Sequence, residues 1–140
     1  MNWGEYFMGM AQYVATKSKD PSTKVGAVIT TADNRVISVG FNGPPRCAFD
    51  NPNYSREVRL MRTLHAEENA ALFARRDLTG CTIYCTHHPC AHCAAVLIQV
   101  GILRVVCPPV PPEFAERWGE SVEQAQKMFR ETGTILIPHV

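Results

Sequence analysis

Two stretches, His65-Ala66-Glu67 and Pro89-Cys90-Ala91-His92-Cys93, decide how the rest of the chain folds. They supply an imidazole, two thiols and a carboxylate. Zinc takes thiolate and imidazole ligands in a tetrahedron, and a catalytic site uses three protein ligands so that the fourth position stays open to water. His65, Cys90 and Cys93 make three, which leaves Glu67 as a carboxylate not needed for ligation. This is the inventory of a hydrolytic Zn2+ site.

The spacing assigns local structure. Cys90 and Cys93 lie three apart at the start of an Ala-, Val- and Leu-rich run, Ala91 to Val100, so a helix there presents both sulfurs from one face. A helix N-terminus also favours thiolate over thiol. His65 opens a second run of good helix formers, Ala66 to Ala74. Two helix N-termini are therefore expected to face one cation. Glu67 falls in the first turn of its helix, turned from the His65 direction, where it reaches water at the metal rather than the metal itself and can accept its proton.

Other uses of these residues remain open at this point. A lone C-x-x-C is more often half of a structural zinc site or a redox pair. A structural site needs four protein ligands, and no second C-x-x-C closes one, although His87, His88 and His92 are near enough to keep a structural or second metal site in view. Thioredoxin-like chemistry would leave His65-Ala66-Glu67 unexplained.

Outward from the two stretches, helices and strands alternate. Trp3, Tyr6, Phe7, Met10, Tyr13 and Val14 recur at helical spacing, predicting an amphipathic helix that proline stops near Asp20-Pro21. Val25 to Thr30 and Val36 to Phe41 read as strands of an antiparallel hairpin turning at Ala32-Asp33-Asn34. Residues 42 to 64, with Gly43-Pro44-Pro45 and Asn51-Pro52-Asn53, read as a long functional loop with one helical turn before His65. Strands over Thr82 to Thr86, Arg104 to Cys107 and Ile135 to Ile137 are separated by the Cys90 helix and by a helix carrying Val122, Ala125, Met128 and Phe129 on one face. The expected fold is α/β, a sheet covered on both faces in a single domain over residues 1–140.

Composition narrows the partners. The chain has 140 residues, 46% hydrophobic, with a formal net charge of +1. Polynucleotide binding usually shows a strong basic excess, so a small anionic substrate is expected and a nucleic acid is not. No apolar run approaches a membrane span and nothing near Met1 resembles a signal peptide, so no membrane partner is expected. With two of the six cysteines better used as zinc thiolates, the expected compartment is a reducing cytoplasm, a host's if the source is a virus.

Beyond the metal pattern, Asp20-Pro21-Ser22-Thr23-Lys24-Val25-Gly26-Ala27, Gly40-Phe41-Asn42-Gly43-Pro44-Pro45-Arg46, His65-Ala66-Glu67-Glu68-Asn69-Ala70, Thr86-His87-His88-Pro89-Cys90 and Ile98-Gln99-Val100-Gly101-Ile102 resemble segments of the deoxycytidylate deaminases of the cytidine deaminase superfamily, in order and spacing. The resemblance implies a three-layer α/β/α fold on a central mixed five-stranded sheet. It also implies zinc-dependent hydrolysis of dCMP to dUMP and ammonia, with Glu67 returning protons to ring N3 and the leaving amine, and so a supply of dUMP for dTTP synthesis. Asn42 would bond the sugar, Gly26 and Ala27 would lie beside the base, and Ala66, His88 and Pro89 would read the pyrimidine edge. A glycine at position 26 would leave room for a ring against the strand.

Ser22, Thr23 and Lys24 are expected at the 5′-phosphate, with Arg46, Arg56, Arg59 and Arg62 as further phosphate or effector contacts. The rival readings are another small cytosine substrate (a nucleoside, dCTP or a 5-substituted dCMP), an editing enzyme for tRNA or single-stranded DNA, and a zinc-stabilised binding module. Relatives assemble as dimers to hexamers, so a homo-oligomer is expected, with the first helix and the exposed-looking Val100-Gly101-Ile102 as contact surfaces. Cys47 replaces the family's usual glycine in the loop that holds a nucleotide effector in regulated members, and Pro44 replaces a bulkier apolar residue. Both departures weigh against such regulation, whereas the arginines weigh for it.

Overall fold

A computed structural model describes residues 1–140, with Ala115 described through its backbone alone. Strand β1 (Gly26–Thr30) is buried at every position because strands flank it on both sides and helices cover both of its faces. It pairs antiparallel with β2 (Val36–Phe41) on one side and with β3 (Thr82–Cys85) on the other, and β4 (Arg104–Cys107) and β5 (Ile135–Pro138) continue in parallel. The order β2-β1-β3-β4-β5 makes a mixed five-stranded sheet. Short β-branched runs supply the strands. The two parallel steps need crossovers, which are the helices α4 (Ala91–Gln99) and α5 (Ala115–Thr132).

Period-two alternation sorts the strand side chains into two layers. Ala27, Ile29, Ile83, Cys85, Val105 and Cys107 face α3 (Ala66–Ala74), α4 and α5, whose Ala66, Ala70, Ala94, Leu97, Ala125 and Phe129 complete the main core. Val28, Tyr84 and Val106 point the other way, onto Phe7, Met8 and Ala11 of α1 (Trp3–Ala15). The α/β/α architecture follows from this sorting. One helix cannot roof five strands, so Val39, Phe41 and Ile137 stay partly exposed.

Helix α1 ends at Ala15, not near Asp20-Pro21. The Thr16 hydroxyl donates to the Tyr13 carbonyl at 2.6 Å, and the next residues turn away to form a loop organised by Asp20. The helical turn expected before His65 is a six-residue helix, α2 (Arg56–Met61), capped by Ser55. The Ile102 side chain is buried, correcting its expected exposure: its N–H donates to the Leu97 carbonyl and the side chain joins the main core.

Gly26 also has a different reason from the one expected. A Cβ there would meet the Ala11 carbonyl oxygen of α1 at 2.0 Å. The glycine admits a helix, on the face opposite Ala27.

Candidate active site

His65 and Cys90 occupy the caps of α3 and α4, both with extended backbone angles. Their side chains thus leave the helices at their positive ends. The His65 N–H donates to Glu68 Oε1 at 3.2 Å, and Glu68 Oε2 meets His92 Nε2 at 3.1 Å, so one carboxylate ties the two helix starts together. Cys90 Sγ accepts from the Cys93 N–H at 3.5 Å.

The ligand atoms of His65, Cys90 and Cys93 all lie within 4.8 Å of one another. His65 Nδ1 is 3.1 Å from Cys93 Sγ and 3.6 Å from Cys90 Sγ. Metal–ligand lengths of about 2.3 Å to sulfur and 2.0–2.1 Å to nitrogen in a tetrahedron place such atoms about 3.6 Å apart. The donor set therefore fits zinc in both chemistry and spacing, and no carboxylate belongs to the cluster. Among the described residues it is the one group of three or more metal-ligating side chains, so His87, His88 and His92 form no second site there.

Protons are unevenly held in this cluster. The hydrogen bond from Cys93, together with that to His65, pulls Cys90 down to about 3. The bond to Cys90 raises His65 to about 8. Cys93, donating to Cys90 and buried, is pushed far up. Binding a cation at this cluster displaces protons.

Glu67 is 5% exposed, the only carboxylate among the buried charged and polar side chains described. Burial raises its pKa. The Glu67 backbone N–H, the His65 charge and the Cys93 side chain oppose that rise, but burial outweighs them.

The surroundings are built by the sheet end. Ala27 pairs with Cys85, and the Gly26 N–H donates to Thr86 Oγ1 at 3.0 Å. Asn42 is buried: Oδ1 accepts from the Val25 N–H and Nδ2 donates to the Thr23 carbonyl, each at 2.9 Å. An amide has a second donor hydrogen and a second lone pair, so these bonds fix its orientation without exhausting it. Ala66 and Pro89 are buried, and His88 is half-buried.

Of the expected phosphate donors, Ser22 and the Thr23 backbone are bonded to Asp20. Asp20 Oδ1 accepts from the Ser22 N–H, the Ser22 hydroxyl and the Thr23 N–H at 2.9, 3.0 and 2.9 Å. Lys24 and Arg56 are exposed. Arg46 lies over the Phe73 ring at 5.3 Å, whereas Arg59 and Arg62 line a cavity described below.

Helix α5 contributes residues that the sequence reading passed over. Ser121 Oγ accepts the Ala91 N–H at 2.8 Å, holding the turn between the two cysteines, and Gln126 reaches His88 Nε2 at 3.4 Å. With His88 Nδ1 at 2.8 Å from the Pro89 carbonyl, the neutral ring carries its proton on Nδ1 and accepts from Gln126. The available signal was polar residues on an apolar stripe: Ser121 precedes Ala125 by one turn, and Gln126 lies between Val122 and Phe129.

Three ligands leave a tetrahedral ion one open position, and a buried carboxylate outside the ligand set has work only if protons move, so the class is a zinc-dependent hydrolytic enzyme. The description of the cytidine and deoxycytidylate deaminase zinc-binding region matches residues 1–108. An uncharacterized deaminase in the luxG 3′ region of Aliivibrio fischeri is 52% identical over 132 residues, 94% of this chain and 89% of that one. The chain belongs to the cytidine and deoxycytidylate deaminase zinc-binding family. The human deoxycytidylate deaminase is 36% identical over 114 residues, 76% of this chain and 64% of its own length. The apo crystal structure of the dCMP deaminase of cyanophage S-TIM5 shares the fold, with a TM-score of 0.74 at 22% identity over 97% of this chain and 96% of that one.

Proposed function

We propose that the protein hydrolyses dCMP to dUMP and ammonia and so supplies dUMP for dTTP synthesis. Similarity to deoxycytidylate deaminases supports the substrate. The observation that carries the reading is the buried Glu67 beside the His65–Cys90–Cys93 cluster, at the sheet end where Ala27 and Asn42 also lie.

Zinc bound at this cluster supplies a nucleophile at neutral pH by lowering the pKa of water. Glu67 takes one proton of the attacking water and passes it to ring N3 as the C4–O bond forms, then takes the remaining hydroxyl proton and passes it to the exocyclic nitrogen as C4–O becomes a carbonyl and C4–N breaks with loss of ammonia. Asn42 holds the deoxyribose, with its amide plane set by Val25 and Thr23. Ala27 and Ala66 provide flat contact for the ring, and the turn at His88-Pro89 reads its edge. The protein acts in the cytoplasm as a homo-oligomer, with exposed Trp3, Tyr6 and Tyr13 of α1 as its apolar contact surface.

Ammonia release from dCMP, CMP, deoxycytidine, dCTP, 5-methyl-dCMP and a short single-stranded DNA tests the reading. The expected order puts dCMP first by a wide margin, because a phosphate site left empty makes the nucleoside a poor substrate. Equal kcat/KM for deoxycytidine and dCMP would replace it with a nucleoside deaminase.

A further inference from the structure

We propose that Arg59 and Arg62 form the phosphate-binding end of the substrate site, in the cavity that begins at Gly43. The inference rests on the reading of dCMP as substrate. It differs from the sequence expectation, which favoured Ser22 to Lys24.

The cavity has a volume of about 60 Å³ and is lined by Lys19, Asp20, Gly43, Tyr54, Arg59 and Arg62, among others. One water needs about 10–15 Å³ by the same measure, so the space accepts a group the size of a phosphate. Its wall is joined to the metal site through the backbone. Gly43 donates to the Leu64 carbonyl at 3.1 Å and Leu64 returns the bond at 2.8 Å, and the next residue is the ligand His65. Gly43 also follows Asn42. A nucleotide with its base at the metal and its sugar at Asn42 thus has this cavity next along the chain wall.

The donors are of the right kind and largely free of hydrogen-bond partners, with the Asp20 carboxylate near the Arg59 charge. Arg59 Nε is buried with no hydrogen-bond partner, a costly state for a charged group that an anionic oxygen would relieve. Arg62 lies over the Tyr54 ring at 5.0 Å and commits one N–H to the Phe49 carbonyl at 3.4 Å, which leaves most of its fork available. Asp20 and Asp50 also line the space. Against the three cations Lys19, Arg59 and Arg62 they still leave a positive excess. Asp20 Oδ1 is held by its own loop.

The test compares zinc-loaded wild type with R59Q, R62Q and, as a charge-matched control in the hairpin turn, R35Q. In both cavity variants KM for dCMP is expected to rise about tenfold to a hundredfold, the range produced by losing a charge-assisted hydrogen bond. The kcat/KM for deoxycytidine, which has no phosphate, stays at the wild-type level. Inorganic phosphate competes with dCMP in the wild type and loses potency in R62Q.

A KM for dCMP in R62Q equal to that of R35Q overturns the proposal, whether or not R59Q folds. So does an equal loss on dCMP and deoxycytidine, or an effect confined to the response to nucleoside triphosphates. If the wild type releases no ammonia from dCMP, the functional reading falls, and this proposal with it. If dCMP is deaminated and only the variants fail to respond, the phosphate assignment alone is wrong.

Discussion

Glu67 is held where water cannot solvate it, and a glutamine of the same shape would be easier to bury. Glu67→Gln is therefore expected to keep its zinc and melt no lower than the wild type while losing a factor of about 10² to 10⁴ in turnover. Metal analysis, a thermal melt and an ammonia assay on one preparation check the three parts. Cys47 presents the opposite case, a side chain that the backbone does not favour. Its φ is 69°, a left-handed conformation suited to glycine. Cys47→Gly should stabilise the fold by about 0.5–1 kcal/mol, read from the denaturant midpoint at unchanged slope. The departure from glycine noticed in the sequence thus has a conformational cost at an exposed site.

At the scale of elements, legibility followed the range of the interaction. The starts of α3 and α4, their metal ligands and the strands β1 to β4 could be read because capping, spacing and β-branching act over a few residues. The end of α1 was misplaced because Pro21 looked like the stop, whereas the chain had already left the helix at Thr16. The roles of Ser121 and Gln126 were hidden because they depend on how α5 lies across α4, which no local pattern fixes.

Gly26 and Gly40 show the same limit. Each is a point where a helix backbone touches a strand, with a Cβ at Gly40 meeting the Ala66 carbonyl at 2.4 Å. Gly26→Ala should destabilise by about 2 kcal/mol or more, visible as a lower denaturation midpoint, because α1 must shift to admit one methyl group.

The Asp20 loop makes a prediction about acid. Partial burial pushes this carboxyl up, but the bonds from Thr23 and Ser22, with Arg59 nearby, outweigh it and leave the pKa below its ordinary value. A folded pKa below the unfolded value of about 3.9 means that the contribution to stability is fully present above the unfolded pKa and is lost as pH falls through the folded one. Asp20→Asn, which keeps the Oδ1 acceptor, should flatten the stability profile over that acid window. Because the group is partly exposed, the difference should stay below about 1 kcal/mol. Urea midpoints measured from neutral pH down through the window decide it.

For the whole molecule, one zinc per chain is expected from elemental analysis after a chelator wash, since a single ligand set is present among the described residues. Stripping that ion at low pH should lower Tm, because an ion bound only by the folded state stabilises it by mass action. Nearly two ions per chain would contradict this count.

The bond from Ala91 N–H to Ser121 Oγ bears on where the protein can be cut. The family description ends at residue 108, and a fragment stopping there would retain His65, Glu67, Cys90 and Cys93. It would also lose α5, and with it Ser121, Ala125, Phe129 and the neighbour of β4 in the sheet. The α3–α4 side of the core would open to water, and β4 would become a bare edge prone to self-association. The sequence motif therefore marks the chemistry without delimiting the smallest unit able to perform it, and a truncation series should lose solubility before it loses a single ligand.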